Sequence, residues 1–170
     1  MITPRVIRSR PPNGLALGDV VTAALVSELL MPSAELWLVT GWVSDITVID
    51  NTQGDFDHLL DGRCAAWTLS ETLALLCRRG TSLHVTLRDH PHNLLFRQRL
   101  ERQLRDIDVP IHMSPDLHEK LLCGDDWQIT GSMNFTLNGF ERNEESVEYK
   151  IDQIAVARQR VELHQRWERA

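Results

Sequence analysis

Nowhere in these 170 residues does an apolar run approach the roughly 18 residues that a membrane-spanning helix needs. The opening MITPRVIRSRPPNG carries basic residues, but it lacks both the continuous apolar segment and the small-residue cleavage site of a secretory signal. These two absences predict a cytoplasmic protein without a membrane partner. Cysteine is scarce too. Cys64, Cys77 and Cys123 are odd in number, widely spaced and set among apolar residues, which argues against a disulfide framework or a zinc site and for reduced thiols used in packing. Linkers rich in Pro, Gly or Ser, low-complexity runs and internal repeats are all missing. One domain over residues 1–170 is expected, with 1–14 as an irregular N-terminal segment. Surplus positive charge is lacking as well: 18 Lys and Arg stand against 24 Asp and Glu, a net of −6. A generally basic nucleic-acid coat is excluded, and any polyanion site must be local.

What the chain does have is alternation of helical and extended segments. LGDVVTAALVSELL, Leu17 to Leu30, has helical spacing and is stopped by Pro32. Glu35 to Val43 (ELWLVTGWV) is short, apolar and rich in β-formers, a buried strand. Asp50 to Gly62 is polar and reads as a long loop of the kind that tends to carry function. Ser70 to Arg79 forms a helix capped by Ser70 and ended by Gly80. Ser82 to Asp89 alternates as a strand, and His92 to Asp106 returns to helical spacing through Leu95, Leu100 and Leu104. After Pro110 come a short extended piece, two strands around HEKLLCGDDWQIT, a strand over Ser146 to Ile151, and a last helix from about Gln153 to Arg169. The pattern predicts an α/β sandwich: a mixed β-sheet flanked by helices, its late strands antiparallel.

The stretch HEKLLCGDDWQITGSMN, His118 to Asn134, carries the chemistry. His118 and Lys120 lie two apart on an extended segment, so both project from one face, with Leu121 and Cys123 turned to the buried side. Gly124-Asp125 reads as a hairpin turn, Trp127 to Thr130 as the returning strand and Gly131 as a further bend, after which Ser132 and Asn134 project together. Imidazole, ammonium, hydroxyl and carboxamide at one spot are what a tetrahedral oxyanion such as phosphate requires. Taken singly, each residue has a plainer use: a His or Lys on a strand is usually a surface group, Trp127 and Phe135 pack the core, and Asp125 belongs to the turn. His112 and Cys123 near His118 fit no usual metal-ligand spacing.

The order H-x-K-x4-D-x5-G-S-x-N resembles the HKD signature of the phospholipase D superfamily. The following FTLNGFERNEESVEY is similar to the continuation in that family's small nucleases, where a Glu two residues after an Asn (here Glu145 after Asn143) orients the catalytic His. Many members have six residues between Asp and Gly; this chain has five. With WLVTGWVSDITVIDN upstream, the combination is also similar to the phospholipase-D-like proteins encoded with bacterial phage-defence and 7-deazaguanine DNA-modification clusters. The resemblance implies a phospholipase D-like fold with one HKD half-site per chain and catalysis by His118, Lys120, Ser132, Asn134 and Glu145, with Asp125 and Gly131 structural. It implies a homodimer sharing one active site, a phosphohistidine intermediate, and no metal or other cofactor. The implied substrate is nucleic acid, DNA ahead of RNA, in a restriction or phage-defence setting with other subunits as possible partners. Two alternatives stand beside it: a non-catalytic or partner-activated assembly subunit, and a lipid phosphodiesterase.

A local basic segment completes the reading. Arg88, Arg97, Arg99, Arg102 and Arg105 outnumber Asp89 and Glu101, a net of +3. Arg88, His90, His92, Asn93 and Arg97 are therefore candidate substrate contacts after a strand end, weighed against a solvated amphipathic helix and a simple surface loop.

Overall fold

The computed structural model of the chain describes residues 5–8, 17–142 and 144–167. Among the described residues nine strands form: β1 (Arg5–Arg8), β2 (Glu35–Thr40), β3 (Thr47–Asp50), β4 (Ala66–Thr68), β5 (Ser82–Arg88), β6 (Ile111–Ser114), β7 (Lys120–Cys123), β8 (Trp127–Gly131) and β9 (Ser146–Ile151). Seven of them make one mixed sheet in the order β1-β9-β8-β7-β2-β5-β6, and β3 pairs with β4 apart from it. Strands β2, β5 and β6 are parallel, while β7, β8, β9 and β1 add antiparallel ladders. The expected α/β architecture is present.

Among the described residues four α-helices flank the sheet. α1 (Leu17–Leu30) buries Leu17, Val21, Ala24, Leu25 and Leu29, a stripe of three- and four-residue steps. α2 (Leu69–Arg78) and α3 (Leu94–Gln103) join α1 on one face, over Leu36, Leu38, Val85, Leu87, Leu122 and Ile129. α4 (Gln153–Trp167) covers the other face, laying Val156, Leu163 and Trp167 on Trp37, Val39, Leu121 and Cys123. Burial on both faces explains why β2 is apolar throughout rather than alternating. A polar clamp fixes α4: the Glu35 carboxylate meets Arg160 Nη1 at 3.3 Å, His84 Nε2 at 3.1 Å and His164 Nε2 at 2.5 Å.

Several expectations are corrected. Of the segment 1–14 expected to be irregular, Arg5–Arg8 pair with Ser146–Tyr149 as an edge strand, and 1–4 and 9–14 lie outside the described residues. Ladder pairing uses backbone groups only, so two arginines in four residues do not prevent it. The cap of α2 is Thr68 rather than Ser70. Thr68 is extended and has Glu71 three residues on, which closes a reciprocal capping box, whereas Ser70 sits inside the first turn and donates to Asp45. On α3, Phe96 and Leu100 face inward and Leu95 is 56% exposed. The polar loop over 50–62 is tied down by buried Asn51, which bonds Asp57, Phe56 and Arg63. Arg79, leading into β5, holds the Leu59 carbonyl, so this loop lies where β5 begins. Cys77 and Cys123 are buried, their thiols pushed by burial to about 11 and about 12, but Cys64 is exposed and donates to Asp57. The end of the expected last helix, and Asn143, lie outside the described residues.

Candidate active site

His118 sits two residues before the start of β7. The β2–β7 pairing sets Thr40 opposite Lys120, and one further bond, from Gly41 N to the Glu119 carbonyl at 3.2 Å, carries the extended course back toward His118. His118 is thus outside the strand proper, yet the alternation holds. Leu117, Leu121 and Cys123 pack beneath α4, Glu119 pairs with Arg166 of that helix, and His118 and Lys120 share the side of Leu122. A Cβ on Gly41 would stand 2.9 Å from the Leu117 carbonyl, so the strands approach this closely only with glycine there.

The returning chain delivers the second half of the signature. At Gly131, φ is +151° and an added Cβ would lie 2.1 Å from the Ser146 carbonyl. Only glycine lets β8 turn out this close to β9. Ser132 N then donates to the Ser146 carbonyl at 3.0 Å, Ser146 N donates to Ser132 Oγ at 3.1 Å, and the Ser132 hydroxyl donates to the Glu145 carboxylate. Asn134 follows, held in place because its neighbour Phe135 donates to the Trp42 carbonyl at 3.2 Å and accepts from Ser44 N at 2.8 Å. The buried Asn134 Oδ1 has no hydrogen-bond partner among the described residues.

Strand pairing therefore places His118, Lys120, Ser132, Asn134 and Glu145 at one end of the sheet, where β2 and β8 end and β7 and β9 begin. Within the chain the cations and donors are partly folded onto their neighbours: Lys120 Nζ donates to the His118 carbonyl at 2.5 Å, and Ser132 is engaged with Glu145. Asp125 stands elsewhere, at the start of β2, accepting from Ala34 N at 2.7 Å and from Arg160 at 2.5 Å. Among the described residues no group of three or more His, Cys, Asp or Glu is arranged to hold a metal ion.

The candidate substrate contacts divide. Arg88, His90 and His92 surround the half-exposed Trp42 at the same end of the sheet. The His90 ring lies 4.4 Å and the His92 ring 5.4 Å from the indole, with the Arg88 guanidinium 5.7 Å away. Asn93 does not face a substrate. It is fully buried, its carboxamide accepting from Val43 N and donating to the carbonyls of Gly41 and Arg88, each at 2.9 Å. A backbone turning between two strand ends leaves polar groups that need partners, and Asn93 supplies them. Arg97 pairs with Glu101 at 2.8 Å, one helical turn on, as a solvated helix face would have it. Arg99 is bound to the nearly buried Asp45. The sequence reading missed Trp42 and Gly41, although a Gly-Trp just past an apolar strand falls where open α/β sheets place ligand loops.

The sequence matches the family described as cardiolipin synthase, PLD-like domain, over residues 48–167. The chain belongs to this phospholipase D-like family. No curated protein matches it. Among solved structures, Nuc from Salmonella typhimurium, a phospholipase D family member, superimposes with a TM-score of 0.61 at 14% identity, covering 98% of this chain and 95% of that one. NucT from Helicobacter pylori gives 0.60 at 13% identity, with coverage of 98% and 96%. The archaeal chromatin protein TrmBL2, described as having a novel mode of DNA binding, gives 0.57 at 14% identity over 98% of this chain and 52% of its own. These likenesses concern the fold.

Proposed function

We propose that two copies of this chain form a phosphodiesterase that cleaves nucleic acid, DNA ahead of RNA, through His118. The observation that supports it most is the strand pairing that brings the signature positions 118, 120, 132 and 134, and Glu145 of the continuation, to one end of the sheet. In the reaction, a His118 nitrogen attacks phosphorus, forming a P–N bond as the P–O bond to the leaving oxygen breaks. That oxygen takes a proton from His118 of the second copy. Water then attacks the phosphohistidine, its proton passing to the second imidazole while the P–N bond breaks. Lys120, Ser132 and Asn134 hold the nonbridging oxygens, and Glu145 sets the imidazole tautomer once the two half-sites meet. This scheme calls for no metal ion. The setting we assign is cytoplasmic bacterial DNA restriction or phage defence, with targeting supplied by other subunits of the system.

One observation favours a second reading, in which the chain is inactive until a partner opens it. Lys120 and Ser132 are turned onto the chain's own carbonyl and carboxylate, so the isolated half-site is not yet arranged around an anion.

The deciding experiment is cleavage of labelled single- and double-stranded DNA and RNA at low salt with excess EDTA, wild type against His118→Ala. Cleavage that survives EDTA and is lost in the variant is the expected result. Cleavage abolished by EDTA would overturn the mechanism. A wild type that is silent on nucleic acid but releases the headgroup alcohol from phospholipid vesicles, leaving the phosphate on the lipid, would turn the same site into a lipid phosphodiesterase.

A further inference from the structure

Beside the half-site lies a cluster that the phosphodiesterase chemistry does not use. Trp42 directly follows Gly41, the residue pressed against Leu117 and near His118, and its carbonyl accepts from Phe135, the residue after Asn134. The indole is therefore anchored from both halves of the signature. Around it stand Arg88 and two imidazoles, the His92 ring steadied by Ser44 Oγ at 3.1 Å. His90 and His92 are exposed, and the indole itself is half-exposed. The Arg88 guanidinium is also fixed, its Nε donating to the Pro115 carbonyl at 3.1 Å. Below the cluster, Asn93 binds the backbone on both sides of Trp42, at Gly41 and Val43, and so makes the platform rigid.

Phosphate contact would account for the Arg88 guanidinium but not for the indole. An indole with two imidazoles set edge-on to it and a guanidinium over its ring offers the π surface and positive charge that hold a nucleobase and its adjoining phosphate. A base inside a duplex has both faces covered by its neighbours, so it cannot lie on a half-buried indole between two loops. A base in a single strand can.

We propose that Trp42, with His90, His92 and Arg88, is a base-stacking subsite flanking the scissile phosphate, and that it directs this chain to single-stranded nucleic acid. The inference rests on the nucleic-acid reading above and names its substrate form. It separates the labour at this end of the sheet: His118, Lys120, Ser132 and Asn134 handle phosphate, whereas Trp42 and its neighbours hold the base beside it.

The test is equilibrium binding, by fluorescence anisotropy, of three labelled probes to full-length protein carrying His118→Ala: a short deoxythymidine oligomer, the same oligomer with abasic sites, and its duplex with deoxyadenosine. The single strand is expected to bind about tenfold more tightly than the abasic chain, the size of one stacked base. Adding Trp42→Leu, which fills the space without a π face, removes that advantage; Trp42→Phe keeps most of it. His90→Ala, at an exposed position where the fold is not at stake, lowers it about threefold. Equal affinity for the oligomer and its abasic counterpart, or a duplex bound as tightly as the single strand, overturns the proposal. The two hypotheses fail separately. Base-dependent binding without EDTA-resistant cleavage sinks the enzyme reading alone, and cleavage with no base dependence sinks the subsite alone.

Discussion

His118 and Asp125, both part of one signature, stand at opposite ends of the same strand pair, about 20 Å apart at roughly 3.3 Å per residue. His118 lies where β2 ends, beside Gly41, and Asp125 lies where β2 begins, bound to Ala34 N and Arg160. The aspartate thus ties the β7–β8 turn to β2 and to α4.

Asp125→Asn is expected to weaken the Arg160 pair while keeping an acceptor for Ala34 N, costing on the order of 1 kcal/mol because the pair is partly exposed. The thermal midpoint should fall by roughly 2–4 °C. Cleavage per folded molecule should be unchanged; a collapse of activity at full stability would show that Asp125 reaches the chemistry.

Asn93→Ala deletes three hydrogen bonds at once, two of them buried and one partly so, and leaves the Gly41 and Arg88 carbonyls and the Val43 amide without their partner. A loss of about 3 kcal/mol or more is expected in urea unfolding. Had this residue been a surface ligand for substrate, the unfolding midpoint would not move.

If each active site needs an imidazole from both copies, mixing equal amounts of wild type and His118→Ala and allowing exchange should leave about a quarter of dimers intact. Activity near one quarter of that of wild type alone at the same total protein concentration is the expected reading. Activity near one half of it would mean that each chain works alone.

Glu71 gives a pH dependence with a definite sign. Burial opposes its ionisation, but the Thr68 amide and Arg63 outweigh burial and hold the carboxyl below its ordinary 4.5. A carboxyl whose folded value is lowered contributes stability that is present above about 4.5 and is lost as pH falls through the folded value. Glu71→Gln should therefore be less stable than wild type near neutrality, with the gap closing in thermal melts well below pH 4.

Much of this was legible in the sequence because the signals were local. Helix α1 was bounded by its own periodicity and by Pro32, and the side shared by His118 and Lys120 followed from period-2 alternation, which survived the finding that His118 precedes the strand. What escaped depended on partners distant in the chain. Asn93 looked like a loop amide on offer, and only the fold brings Gly41 and Val43 within its reach. Arg97 and Arg99 looked alike; the first meets Glu101 on its own helix and the second meets Asp45, 54 positions earlier. The edge strand Arg5–Arg8 has no side-chain signature, since backbone pairing to β9 alone creates it.

The strand order carries a consequence for biosynthesis. β7, β8 and β9 are consecutive in the chain and adjacent in the sheet, and they join the rest through the edge of β2. They leave the ribosome after β2, β5 and β6. Until β7 arrives, Leu36 to Val39 form an uncovered apolar ladder in what will become the middle of the sheet, the kind of edge that recruits other chains. The nascent protein is thus stickiest just before its signature emerges, and the step that assembles the half-site is also the step that closes that edge.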